Sequence, residues 1–330
     1  MLRQGGNKSL PYLKILKYMT LTSQQAKELL HQQLINWELA KNNYLALQSV
    51  RTKDFDFEGF SIRVQFNPAR IQSSAAKVDA KSIQERPCFL CPANLPAVQK
   101  GIDYENKYQV LVNPFPIFPQ HFTIPTYEHT DQLILNRYED MLDLAKVLDE
   151  YTIFYNGPKC GASAPDHAHF QAGNKGFLPI EKDVETVSKN IVSEQNGLKV
   201  FTINNYLRNG FFIEATNKNL AVQFFRRLYF LLDIPDGEKE PMMNIISWFA
   251  NNRWYSCVIP RAKHRPDCFY AEGDENILLS PASVDMGGVF ITPLEKDFDK
   301  ITPEDIRAIL KEVCITDDKL EEIVTKIQTL

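Results

Sequence analysis

Apolar residues recur at helical spacing over residues 23–50, with Ala26, Leu29, Leu30 and Leu34 on one face, and predict an amphipathic covering helix. Residues 60–66 change period: Phe60, Ile62, Val64 and Phe66 alternate with Ser61, Arg63 and Gln65, the pattern of a strand with one buried face. Further strands are predicted at 108–113, 121–124, 151–155, 167–171, 199–203, 211–215 and 254–259, each β-branched or aromatic and bounded by turn residues. The prolines at 114, 116 and 119 keep the segment between the first and second of these out of a sheet interior. Helical spacing returns over 130–148, with Thr130 as cap, and again over 219–232, 303–313 and 317–330. The polar run 175–197 reads as a loop and a short helix.

The second half repeats the first in outline. Phe122-Thr123-Ile124-Pro125 followed by His129 is matched by Cys257-Val258-Ile259-Pro260 followed by His264: a strand, an Ile-Pro stop, and a histidine four residues on. Such self-similarity predicts a duplicated α+β unit. Residues 277–280 and 287–292 are then expected as strands matching 151–156 and 167–171.

Composition narrows the class. The 330 residues carry 37 Lys and Arg against 41 Asp and Glu, a formal charge of −4, which argues against a nucleic-acid surface built on clustered cations. No stretch approaches the length of a membrane span, residues 1–18 lack the apolar run of a secretory signal, and Met19 is a second candidate start. Six scattered cysteines suggest a reducing, cytoplasmic setting.

Chemistry gathers at 155–171. If 167–171 is a strand, His167, His169 and Gln171 share one face, while Ala168 and Phe170 point to a core. The preceding loop, with Gly157, Gly161 and Ser163, is small enough for backbone N–H groups to approach a phosphate. A His-x-His pair on a strand also arises by chance. At Cys88-Phe89-Leu90-Cys91, two thiols two residues apart are either half of a tetrahedral metal site or two reduced core cysteines. Arg70 and Lys81 lie in a polar segment from which they could reach an anionic ligand or simply keep the surface soluble. Arg226 and Arg227 are likewise solvated or phosphate-directed.

The run Asn156-Gly157, Gly161, Ser163, His167-Ala168-His169-Phe170-Gln171 resembles the signature of the histidine-triad (HIT-like) superfamily. Within it, Gln at the last position resembles the transferase branch of galactose-1-phosphate uridylyltransferase, diadenosine tetraphosphate phosphorylase and the GDP-hexose phosphorylases. Asp166 stands between Pro165 and His167 where many members run Pro-His. The resemblance implies a duplicated HIT-like unit with helices packed on an antiparallel sheet: a helical cover over 1–50, a catalytic half over 51–200 and a degenerate half over 201–330 that lacks the His-x-His-x-Gln run. It further implies that His169 is a nucleophile carrying a nucleotidyl group, that Gln171 donates to a non-bridging oxygen, and that His167 is an orienting or ligand residue. Asn156, Lys159, Gly161, Ser163, Lys175, Arg70, Arg261 and Lys263 are the expected substrate contacts. His264 and Arg265 share the cationic run with Arg261 and Lys263, which either binds phosphate or lies solvated.

Cys88-x-x-Cys91-Pro92-x-Asn94 resembles the uridylyltransferase pattern, in which His129 and His167 would complete a Cys2His2 set for a structural zinc. His121 is expected to be structural or to belong to a substrate loop. No organic cofactor, nucleic acid or membrane is expected; the substrate is a nucleotide sugar or dinucleoside polyphosphate, the acceptor phosphate or a sugar phosphate, and a homodimer is compatible with the family. Two other readings stand beside transfer: a HIT-type nucleotide hydrolase, and a nucleotide sensor without turnover.

Overall fold

The computed structural model describes residues 21–71 and 79–329; Met19 lies outside them. The chain is α+β. Ten antiparallel strands form one sheet: β3 (Gly101–Tyr104), β4 (Tyr108–Val112), β5 (His121–Pro125), β6 (Tyr151–Asn156), β7 (His169–Asn174), β8 (Lys189–Gln195), β9 (Leu198–Ile203), β10 (Phe211–Ala215), β11 (Met243–Ala250) and β12 (Arg253–Pro260). Their order across the sheet is β3-β4-β5-β7-β6-β11-β12-β10-β9-β8, so five strands from each half of the chain meet at β6 and β11. Residue 200 lies inside β9, whose partners β8 and β10 both stand on the C-terminal side of that seam.

A second, three-stranded sheet is made of β1 (Arg51–Asp56), β2 (Ser61–Phe66) and β13 (Val289–Thr292), with β13 parallel to β2. This corrects the expected second copy of β6 and β7. Residues 277–280 form no strand, and β13 leaves the large sheet because its apolar side chains pair with Ile62 and Val64 instead.

The large sheet buries both faces. One packs on α1 (Ser23–Asn36), α4 (Tyr138–Val147), α6 (Lys218–Leu231) and α10 (Asp317–Gln328), joining Leu29, Met141, Phe225 and Ile323 to Phe170 and Ile245. The other packs on the small sheet, α5 (Pro179–Thr186) and α9 (Pro303–Val313), through Val64, Ile180, Ile309, Phe154 and Ile246. Truncating a fully buried member such as Leu142 to Ala would cost about 2–5 kcal/mol.

Two helices differ from expectation in ways that shape the site. The covering helix breaks at Trp37, whose backbone is extended (φ −122°, ψ 98°); its N–H still closes α1 on the Gln33 carbonyl, and α2 (Glu38–Ala46) starts beyond it. Thr130 does not cap α4. Residues 130–135 lie outside regular structure, α4 begins only at Tyr138, and Thr130 Oγ1 accepts from Arg137 instead. That irregular stretch delivers Gln132 into the sheet. The run 175–197 holds the expected short helix, α5, and adds strand β8 where loop was expected, while Arg226 and Arg227 are exposed on α6.

Candidate active site

Strand β7 begins at His169, two residues later than expected. Alternation from there sends Phe170 and Ala172 into the helical core and turns His169 and Gln171 into a cavity of about 580 Å³ on the opposite face. Gly173, next on that face, must be glycine: a Cβ there would lie 2.4 Å from the Phe118 ring. His167 precedes the strand and turns elsewhere.

The nucleophile candidate is held from several sides. The Nδ1 of His169 is 2.8 Å from the His167 carbonyl, so Nδ1 carries the proton and Nε2 keeps its lone pair. The buried Gln132 grips the same residue like an adjacent strand: its Oε1 accepts from the His169 N–H at 2.7 Å, and its Nε2 donates to the carbonyls of His169 (2.9 Å) and Asn156 (3.0 Å). Burial lowers the His169 pKa to about 4, against the opposing pull of that carbonyl, so the ring is neutral at pH 7.

Gln171 is oriented by a residue that sequence reasoning left without a role in the reaction. The Nδ1 of His121 accepts from the Ile117 N–H (3.2 Å), which puts its proton on Nε2; Nε2 then donates to Gln171 Oε1 at 3.1 Å. The Gln171 amide nitrogen is left to act as donor. Burial, with Arg70 nearby, drives the His121 pKa to about 3, so this tautomer has no charged competitor near neutrality. Nothing in the local sequence marks Gln132 or His121 for these tasks. The signal is tertiary.

The expected metal ligands come together. Among the described residues, the donor atoms of Cys88, Cys91, His129 and His167 all lie within 4.8 Å of one another. Cys88 Sγ is 3.3 Å from His167 Nδ1, and Cys91 Sγ is 3.2 Å from His129 Nδ1 and 3.6 Å from His167 Nδ1. An edge of a tetrahedron with zinc-like bond lengths is ~3.5 Å, so the set fits a four-coordinate ion. The Nε2 of His167 lies 2.8 Å from the Thr126 carbonyl, which leaves Nδ1 as the ligand atom. Asp166, the residue inserted before His167, has a structural use: its carboxylate pairs with Arg86 (3.0 Å) and approaches His129 Nε2 (3.7 Å). The same cysteine loop supplies Phe89, Leu90, Leu95 and Pro96 to the cavity wall, which Trp37 also lines.

The other expected contacts divide. Asn156, Gly161, Ser163 and Arg70 line the cavity. Gly161 sits at φ +92°, where a Cβ would lie 2.4 Å from that of Ala282, so its smallness serves the turn and the contact between halves. Arg70 donates to the Phe115 carbonyl at 2.6 Å; burial lowers its pKa to about 10, and it stays charged at pH 7. Among the described residues, Arg70 Nε and Arg86 Nη1 have no hydrogen-bond partner.

Four expected contacts lie outside the cavity lining. Lys175, beyond the far end of β7, donates to the carbonyls of Asp149 and Phe249. Lys159 faces Glu238 at 3.8 Å and does not line the cavity. Arg261 is buried and spends its guanidinium on Asn244 Oδ1 and the carbonyls of Val313, Pro281, Lys263 and His264. Lys263 pairs with Asp267 and Glu312. From that cationic run it is His264 and Arg265 that reach the cavity.

A family model described as a domain of unknown function (DUF4922) matches residues 29–174, and one described as the GDPGP1-like, C-terminal domain matches residues 181–330. Diadenosine 5',5'''-P1,P4-tetraphosphate phosphorylase 2 of Saccharomyces cerevisiae is 28% identical over 134 residues, which cover 36% of this chain and 41% of the relative. The fold matches crystal structures of yeast Ap4A phosphorylase Apa2. The TM-score is 0.59 at 19% identity, over 90% of this chain and 96% of that one; for Apa2 in complex with Ap4A it is 0.62 at 18%, over 90% and 99%. The chain belongs to the HIT-like phosphorylase and transferase superfamily. In this HIT-like chain both family models end or begin between β7 and β8, where the two sets of five strands part. No helix among the described residues is long and apolar enough to cross a membrane.

Proposed function

We propose that this protein is a nucleotidyltransferase or phosphorylase acting on a dinucleoside polyphosphate or nucleotide sugar through a covalent nucleotidyl-histidine. One observation carries the reading: His169 Nε2, neutral and with its proton fixed on Nδ1, faces a cavity beside an amide whose N–H is set as donor. Nε2 attacks the α-phosphorus; the N–P bond forms as the bond to the leaving phosphate oxygen breaks, and that oxygen departs with the electron pair. The imidazolium so formed keeps its Nδ1 proton on the His167 carbonyl. Gln171 donates to a non-bridging oxygen without offering an acid, and Arg70 and Arg86 supply charge to the phosphates. An acceptor phosphate or sugar phosphate oxygen then attacks phosphorus and returns the pair to Nε2.

The Cys88, Cys91, His129 and His167 set fits zinc. Its role is structural: it ties the cavity-lining cysteine loop to the residue two before the nucleophile. A cytoplasmic location is supported by six unpaired cysteines. A β- or α-labelled nucleotide pair tests the mechanism. Only the α-label should remain on the protein, acid-labile; His169→Ala should abolish it, and His169→Gly should regain turnover with added imidazole. Full turnover by His169→Ala would remove the proposal.

A further inference from the structure

We propose that Asn244, on β11, is a positioning residue that fixes the Asn156 amide as a second hydrogen-bond donor to phosphate beside His169. The inference rests on the nucleotidyl reading above and adds what the second half, which lacks a His-x-His-x-Gln run, supplies to the site. Three observations support it.

The first is placement. Phe154 on β6 pairs with Gln171 on β7, so the same register carried two residues on puts Asn156 opposite His169, and the Gln132 amide nitrogen bridges their two carbonyls. Both residues line the cavity. Residues directly opposite on antiparallel strands have Cβ atoms ~5 Å apart, close enough for one phosphate to meet both side chains.

The second is that groups able only to donate or only to accept fix both amides. Arg261 Nη1 donates to Asn244 Oδ1 at 2.6 Å and Asn244 Nδ2 donates to the Cys160 carbonyl at 2.8 Å, which leaves the Asn244 amide one orientation. The same Nδ2 donates to Asn156 Oδ1 at 3.1 Å and to Ser283 Oγ at 3.2 Å. The Ser283 N–H, another obligate donor, meets Asn156 Oδ1 at 2.7 Å. With its oxygen accepting twice, the Asn156 amide has Nδ2 to present to the cavity.

The third is burial. Asn244 and Ser283 are 0% exposed and Asn156 and Arg261 5%, so no bulk water stands in for a lost partner, and reversing either amide would set donor against donor or acceptor against acceptor. Arg261 also donates to the Pro281 carbonyl, two residues before Ser283, and so holds both arms of the network. The nucleophile then has two amide donors beside it: Gln171, set by His121 of the first half, and Asn156, set by Asn244 and Arg261 of the second. Both can meet the charge that builds on non-bridging oxygens as Nε2 attacks.

The test is a double-mutant cycle on the full chain, read as kcat and KM for label uptake from Ap4A and from a GDP-hexose. Asn156→Ala should lower kcat roughly ten- to hundredfold, the range for hydrogen bonds to charged groups, with KM changed several-fold less. Asn244→Ala should lower kcat roughly three- to tenfold alone, but by less than about twofold when added to Asn156→Ala, where no amide remains to be oriented. Asn244→Asp keeps the size and the Arg261 contact but sets an acceptor against Asn156 Oδ1. It should lower kcat at least as far, again only with Asn156 present, and it replaces Asn244→Ala if that variant does not fold. Additive losses in the cycle, or wild-type kcat in the Asn244 variants, overturn the proposal and leave Asn244 a packing residue. If the wild type takes up no label, the nucleotidyl reading fails instead. The same cycle on the dissociation constants of adenosine and guanosine diphosphates then decides the network: coupled losses uphold it, and additive or absent losses overturn it.

Discussion

The two Ile-Pro-x-x-x-His stretches share a local sequence and do different work. After β5 the histidine, His129, joins two thiols and His167 in a metal-competent group; after β12 its counterpart, His264, meets no cysteine and faces the cavity amid cations. The strand-and-stop element fixes where the histidine emerges. What it meets depends on a distant loop: Cys88 and Cys91 arrive on the segment between the two sheets of the first half, and the loop after β12 has no equivalent. A repeated motif is therefore evidence for shared architecture and weak evidence for shared chemistry.

Removing the thiols should break the comparison most visibly. Cys91→Ser is expected to reduce bound zinc from one per chain to near none, measured by metal analysis of the purified protein, and to lower the unfolding temperature by several degrees. His264→Ala should change neither. Equal metal content in both variants would mean that the Cys2His2 set is not a site. Next in size is Gln132→Met, which keeps the shape but leaves the His169 N–H and two carbonyls unpaired in the interior. Each buried orphan costs ~1–3 kcal/mol. Chemical denaturation should show a loss of several kcal/mol, with kcat falling and label uptake slowed; an unchanged midpoint would show that the sheet repairs itself without this side chain.

These two cases also show how far sequence carries. Strand β6, the His-x-His-x-Gln run and the cysteine pair were legible because their chemistry depends on short spacings along one backbone. The four misplaced cations were not. Lys175, Lys159, Arg261 and Lys263 lie close in sequence to site residues, but a long side chain a few positions beyond a strand end can reach either face or either end, and only packing decides. Gln132 was illegible for another reason: the apolar residues around it, Leu133 and Leu135, continue the spacing of α4, yet the helix starts later and the chain between is used to support β7. Likewise the break at Trp37 leaves no sign in the helical period.

A buried carboxyl sits beside the seam between the halves. Glu240, from the loop before β11, hydrogen-bonds the Tyr155 hydroxyl on β6 and accepts from the Ile134 N–H at 2.8 Å, and burial raises its pKa to about 7 from 4.5. A carboxyl whose folded pKa lies above its unfolded value stabilises the fold fully below the unfolded pKa, and that stabilisation is lost as pH rises toward the folded pKa. The wild type should therefore lose stability between pH 4.5 and 7, by up to ~3 kcal/mol from this group at 1.36 kcal/mol per unit. Glu240→Gln should flatten that slope by the same share; parallel curves for the two proteins would place the titration elsewhere, with Glu181 also raised to about 7.

The smallest expected effect sharpens the comparison most. Aligning the repeats on their Ile-Pro stops puts Ser256 where His121 stands, and Ser256 Oγ bonds Ser247 Oγ at 2.7 Å within the sheet. His121 instead spans from a loop N–H to the Gln171 amide, so the first half has a polar axis ending at the site and the second does not. His121→Phe keeps a ring among Phe118 and Phe154 but removes the donor that fixes which end of the Gln171 amide faces the cavity. An amide free to present oxygen or nitrogen offers its N–H only part of the time and, worse, can turn a lone pair toward a phosphate oxygen. Loss of one net hydrogen bond, ~1 kcal/mol, corresponds to a several-fold fall in kcat with KM nearly unchanged. His121→Asn should restore part of it, since its amide can donate to Gln171 Oε1, and Ser256→Ala should leave kcat where it was. A His121→Phe enzyme with full kcat would mean that Gln171 is oriented by the substrate rather than by the fold.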